Sequence, residues 1–124
     1  MKNIVLSVWN EFCSKVKPWI DFDRRHNDIS GKCKIPKTTV FYHKGIGVII
    51  GSGVRLGDNV HIYQHVTLGN RNTFGFPVIG DNVILGAFCC VLGDVYVGND
   101  AVVGAGALVL KDVPSGMVVK GVWK

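Results

Sequence analysis

Four histidines, His26, His43, His61 and His65, are the side chains of this chain best placed to move a proton near neutral pH. A neutral imidazole accepts a proton in that range and can return it to a leaving group. His43 differs from the other three in its setting. It lies in Tyr42-His43-Lys44-Gly45-Ile46-Gly47, where two glycines mark a loop. A base of this kind works best when a carboxylate fixes its tautomer and stabilises its protonated form. Asp28 is the candidate carboxylate, but it lies too far along the chain for a local motif, so spacing alone pairs the two only weakly. The four cysteines, Cys13, Cys33, Cys89 and Cys90, form no CxxC pair and read as free thiols, not as a zinc site or a disulfide framework. No metal is expected.

What must position His43 is a repeat. Bulky aliphatics recur every sixth residue as Ile50, Leu56, Ile62 and Leu68, then as Ile79, Leu85, Val91, Val97, Val103 and Val109, most of them followed by glycine. Ile29, Ile35 and Phe41 continue the register upstream. Four places after each aliphatic stands a second small or β-branched residue, such as Cys33, Val54, Val60, Val66, Val83, Cys89, Val95, Ala101 or Ala107. A period of six fits neither a helix nor an open sheet. It fits a solenoid in which each hexad is one short strand plus a corner and the stacked coils bury the aliphatics. Glycine after the aliphatic suits a tight corner, where positive φ is allowed and a side chain would crowd.

Two breaks interrupt the register, between Phe41 and Ile50 and between Leu68 and Ile79. Loops extruded from a repeat protein are where binding surfaces tend to lie. The first break carries His43, and stacking Phe41 under Ile62 brings His43 towards Gln64 and His65. The second carries Asn70 to Pro77, including Phe74 and Phe76. This loop is expected to project towards a neighbouring subunit and offer apolar walls to an acceptor.

At 124 residues the chain is one small domain, and a narrow prism of this size exposes much surface, so self-association is expected. The net charge of +5 contains no run of Lys or Arg like a nucleic-acid arm. No stretch of apolar residues is long enough for a membrane span, and a cytoplasmic location is expected. Residues 1–28 read as a helical segment: Ile4, Val5, Val8, Trp9, Phe12 and Val16 fall on one face until Pro18 ends the pattern. Docking on the protein itself is the favoured role for that face, ahead of peripheral contact with a membrane.

Several motifs resemble those of the hexapeptide-repeat acyltransferases, and among them the serine acetyltransferases and relatives that O-acetylate polysaccharides. Asp28-Ile29, Lys34-Ile35 and His43 are similar to the family segment that begins DI and ends in the catalytic histidine. Gln64, Val66, Thr67, Leu68 and Gly69 resemble its Q-x-V-T-L-G coil, and Val109 to Pro114 its V-L-x-x-V-P closure. The resemblance implies an all-β, left-handed parallel β-helix over residues 29–124, assembled as a homotrimer. It implies acetyl transfer from acetyl-CoA to an oxygen nucleophile, with His43 as general base and Asp28 as its orienter. No covalent acyl-enzyme is needed. Tyr42, Gln64, His65, Phe74 and Phe76 are the expected acceptor-binding residues. Gly86, Ala87, Ala105 and Gly106 would admit the pantetheine arm, with Lys111 and Lys120 meeting the phosphates of the cofactor.

Departures from the family pattern bear on the acceptor. Where serine acetyltransferases carry a second histidine in D-R-H-P-K, this chain has Phe76, and where an aspartate precedes the catalytic histidine it has Tyr42. These changes point to a less charged acceptor, a sugar or polysaccharide precursor, with serine as the alternative. A non-catalytic assembly module is a further alternative. A three-histidine metal enzyme like the γ-class carbonic anhydrases is disfavoured by the spacing of His61 and His65.

Overall fold

The computed structural model describes residues 26–72 and 75–124. Residues 1–25 of the segment expected to be helical, together with Cys13 and Phe74, lie outside the described residues, and its last residue, Asp28, belongs to a strand. Within them the chain winds as a parallel β-helix. The first coil carries β1 (Asp28–Ile29) and β2 (Val40–Phe41), and the second β3 (Ile49–Ile50), β4 (Arg55–Leu56) and β5 (His61–Ile62). The third carries β6 (Thr67–Gly69), β7 (Val78–Ile79) and β8 (Ile84–Leu85), and the fourth β9 (Cys90–Leu92), β10 (Tyr96–Val97) and β11 (Val102–Val103). The last turn brings β12 (Leu108–Val109), β13 (Val118–Val119) and β14 (Val122–Trp123). The strands therefore run on to Trp123, within the span expected for the β-helix.

Stacked coils make three parallel sheets, ordered β1-β3-β6-β9-β12-β14, β2-β5-β8-β11-β13 and β4-β7-β10. Each strand pairs with its equivalent one coil away, as Phe41 does with Ile62 and Ile62 with Leu85. The repeat aliphatics point inward as the period requires. Ile50, Ile62, Leu68, Ile79, Leu85, Val91, Val97, Val103 and Val109 are buried, and Ile29, Ile35, Phe41 and Leu56 pack on the same core from its ends and rim. Their small partners, from Val54 to Ala107, fill the rest of the column. Continuous burial of this kind is what lets two-residue strands persist, since an isolated pair of such strands has too little apolar area to offset its ordering entropy.

The glycines after the aliphatics correct half of the expected reason for them. None of Gly51, Gly57, Gly80, Gly86, Gly98 or Gly104 has positive φ. They are glycine because the neighbouring coil comes too close. A Cβ on Gly86 would sit 2.6 Å from the backbone nitrogen of Ala105, and one on Gly57 would strike the Asp81 carboxylate. The left-handed corners are filled instead by Asn59, His65, Asn82, Phe88 and Asp100, with φ between 57° and 63°.

Cys33 and Cys89 occupy core positions and Cys90 is half-buried, all three as free thiols. Burial, chiefly, pushes the Cys89 thiol up to about 12, so it stays protonated and unreactive at neutral pH.

Candidate active site

The break between β2 and β3 folds as a kinked turn, Tyr42–Gly45, in which His43 (φ 52°, ψ 40°) and Lys44 (φ 60°, ψ 18°) are both left-handed. Neither is glycine, so each is held there at a cost of about 1–2 kcal/mol. Strain of this order persists only where surrounding contacts over-determine it, and such places are enriched at functional sites. The determining contacts are identifiable. The His43 carbonyl accepts from the Ile46 N–H at 3.2 Å, and the Ile46 carbonyl from the His65 N–H at 2.9 Å.

Tyr42 supplies a second anchor that the sequence reading missed. Its hydroxyl lies 2.8 Å from Nδ1 of His61, and its ring stacks on Tyr63 with centroids 4.1 Å apart. His61 points away from the coil interior yet is only 8% exposed. Burial lowers the His61 pKa and, with Tyr63 beside it, raises that of Tyr42, so both are neutral at pH 7. A neutral imidazole nitrogen accepting from the phenol satisfies both groups. The signal was in the register, because Tyr63 is two residues past His61 on the coil above Tyr42.

His65 lies on the same corner, one coil above Gly47. Its ring stacks on Phe88 with centroids 4.6 Å apart and planes 12° from parallel. A Cβ on Gly47 would fall on the His65 imidazole, and Gly47 itself has φ 68°, so both space and backbone require glycine there. Gln64 precedes this ring, with its Oε1 buried and unpartnered among the described residues. Leaving such an acceptor unpaired costs about 1–3 kcal/mol, which a ligand donor could recover.

Asp28 opens β1 and is exposed, its N–H donating to the Val48 carbonyl at 3.0 Å. The next coil carries the chain from His43 to Gly47, whose N–H donates to the His26 carbonyl at 2.6 Å. Asp28 and His43 thus belong to segments that meet at one corner, and among the described residues no hydrogen bond joins their side chains.

The remaining expected residues divide. Ala87 and Gly106 continue the His65 corner upward, the Gly106 N–H donating to the Ala87 carbonyl at 2.8 Å. Gly106 is left-handed (φ 71°) with open space where a Cβ would be, and Ala105 beside it is exposed. Gly86 is explained by close backbone. Lys120 reaches the same edge, with its Cγ 3.4 Å from where a Gly104 Cβ would be. Lys111 does not, for it sits beyond β12 with its Nζ 4.6 Å above the Trp123 ring. Phe76 lies over Gly51 and Gly53 of the preceding coil and packs against the core. Among the described residues no group of three or more His, Cys, Asp or Glu side chains could hold a metal ion, and no helix is long and apolar enough to cross a membrane.

The hexads of this prism resemble those of the hexapeptide-repeat transferases. Residues 76–111 match the family model described as bacterial transferase hexapeptide (six repeats). Within that class the repeats of this chain are similar to those of serine acetyltransferases. The enzyme of Mycobacterium tuberculosis is 45% identical over 86 residues, covering 67% of this chain and 38% of the relative. That of Helicobacter pylori is 42% identical over 85 residues, covering 66% and 50%. The crystal structure of Neisseria gonorrhoeae serine acetyltransferase in complex with serine superposes with a TM-score of 0.72 at 35% identity, over 76% of this chain and 39% of that one. The chain therefore spans half or less of the length of these relatives.

Proposed function

We propose that this chain is an acetyl-CoA-dependent O-acetyltransferase, wound left-handed and acting as a homotrimer. His43 removes the proton from an acceptor hydroxyl, and the resulting alkoxide attacks the thioester carbonyl of acetyl-CoA. Collapse of the tetrahedral intermediate expels the coenzyme A thiolate, which takes the proton back from His43. Asp28 orients the imidazole and stabilises its charged form. Gln64 and His65 meet the acceptor, and the pantetheine arm follows the edge through Ala87, Ala105 and Gly106 to Lys120. The observation that carries this reading is the left-handed turn at His43, closed by the Ile46 N–H and tied to the next coil by the His65 N–H.

For the acceptor, free serine is the better supported choice. The similar proteins are serine acetyltransferases, and the Neisseria structure holds serine. The sugar reading leaned on Phe76 as an open stacking wall, and that ring is occupied with Gly51 and Gly53. A second reading, an uncharged hydroxyl acceptor, is favoured by Tyr42, whose hydroxyl is engaged with His61 and offers no carboxylate to an ammonium group. Release of coenzyme A thiol, followed with L-serine and with a panel of hexoses and amino sugars, separates the two. A rate with serine no greater than with the sugars would reject the serine reading, and no thiol release with any acceptor would reject the transferase.

A further inference from the structure

Two of the three sheets run through the first coil and one does not. β1 pairs β3 and β2 pairs β5, whereas β4 is the edge of its sheet and the first coil passes it without a strand. Between that coil and β4 lies an open cleft of about 520 Å³, and its rim is basic. Lys32 and Lys34 line it from the first coil, and Ser52, Gly53 and Arg55 from the second. Lys34 and Arg55 hold equivalent positions, one hexad on from the paired Asp28 and Ile49. Like charges at such equivalent positions of stacked coils repel unless a carboxylate lies between them.

Among the described residues no acidic side chain lines the cleft. Acids elsewhere on the prism are hydrogen-bonded at other edges. The Asp81 carboxylate accepts from the Asp58 N–H at 2.8 Å, the Asp58 carboxylate from the Thr38 hydroxyl at 3.3 Å, and the Asp112 carboxylate from the Tyr96 N–H at 2.9 Å. Three cations thus surround a gap in the ladder, with a serine hydroxyl among them.

We propose that this cleft binds a phosphate-class dianion. Arg55 offers a planar fork suited to two phosphate oxygens, and Lys32 and Lys34 add point charges. A single carboxylate would leave most of the positive charge uncompensated, whereas a phosphate monoester offsets most of it and a diphosphate more. The site is separate from the His43 corner, and its occupancy does not depend on acetyl transfer.

Titrating inorganic pyrophosphate into isotope-labelled protein at low salt is expected to move the backbone amide resonances of Ser52, Gly53 and Arg55. The double variant Lys34→Gln, Arg55→Gln is expected to weaken that binding at least about 10-fold, as loss of two charge-assisted contacts implies. Lys37→Gln, outside the cleft, is expected to leave it unchanged. Because the double variant removes a like-charge pair, its melting temperature should not fall, which keeps loss of binding distinct from unfolding. Coenzyme A and a hexose phosphate, each added in place of pyrophosphate, distinguish a phosphate carried by the donor from one carried by the acceptor. Shifts that appear only at other cations, or undiminished affinity in the double variant, would overturn the proposal.

Discussion

Two corners of this prism solve the same backbone problem with different residues. Both stack left-handed positions coil upon coil. At the corner leading into β5, β8, β11 and β13 those positions are Asn59, Asn82, Asp100 and Gly116. At the corner leading into β3, β6, β9 and β12 they are Gly47, His65, Phe88 and Gly106. Asn and Asp tolerate the left-handed region through local hydrogen bonds, and glycine pays no steric penalty there. The first corner uses this chemistry and bonds itself into a ladder, with Asn59 Nδ2 donating to Asn82 Oδ1 at 3.1 Å and the Asp81 N–H to Asn99 Oδ1 at 2.7 Å. The second corner places an imidazole and a phenyl ring where neither is locally favoured. One corner is chosen for stability. The other keeps side chains that stability alone would not select, and it is the one that carries His43.

The largest effect that tests this division lies at His43 itself. Replacing it with alanine is expected to lower turnover by about two to four orders of magnitude, the usual worth of a positioned general base. Acetyl-CoA affinity should be retained, and the pair of steady-state constants checks both. Asp28→Asn should cost less, because it disturbs the orientation of the base and leaves the base in place. If His43→Ala turns over at a near-normal rate, the second corner is not catalytic and the two corners differ only in composition.

The stability corner gives the complementary result. Asn82→Ala is expected to destabilise the fold by about 1–2 kcal/mol, from a lost hydrogen bond and a less tolerated left-handed backbone. It should leave kcat unchanged. Chemical denaturation alongside steady-state kinetics would show the separation, and a parallel loss of activity would erase it.

Phe88→Asn puts the residue type of the first corner into the second. Relief of the left-handed strain, about 1 kcal/mol, and loss of the stack on His65, also about 1 kcal/mol, should nearly cancel in stability. The His65 ring then loses its support, and kcat/KM should fall by about 10-fold, as a small misplacement near reacting groups does. A variant that is more stable and equally active would show that the stack has no role in the site.

How much of this was legible in the sequence depends on what each residue answers to. The inward column, from Ile29 to Val109, follows from the six-residue period because burial is periodic and one-dimensional in a solenoid. The two breaks likewise marked where the chain leaves the repeat. Their direction was not legible. Phe76 was expected to face an acceptor and instead lies over Gly51 and Gly53, a contact between coils that depends on how the loop folds back. Lys111 and Lys120 read alike as cations in the sequence, yet Lys120 lies beside Gly104 while the Lys111 ammonium sits over the Trp123 ring. The Tyr42–His61–Tyr63 cluster was legible in the stacking of Phe41 under Ile62 once outward positions are read across coils as well as along the chain. Its energetic consequence, a buried neutral imidazole, needed the burial itself.

That imidazole yields the smallest effect and the one with a definite sign. The folded protein holds the His61 pKa below its ordinary value of 6.5, chiefly through burial. In the window between the folded value and about 6.5 the unfolded chain therefore binds more protons than the folded one, and stability rises with pH across it. The contribution of neutral His61 is complete above about pH 6.5 and is lost as the pH falls through the folded value. Melting temperatures at pH 7.5 and pH 5 should accordingly differ more for the wild type than for His61→Asn, which cannot take up the proton. The Tyr42→Phe variant, which removes the 2.8 Å partner of Nδ1, should keep the pH dependence while losing about 1 kcal/mol at pH 7.5. Equal pH dependence in the wild type and His61→Asn would place the buried titration elsewhere and leave the anchor of the His43 turn to the stacked tyrosine rings alone.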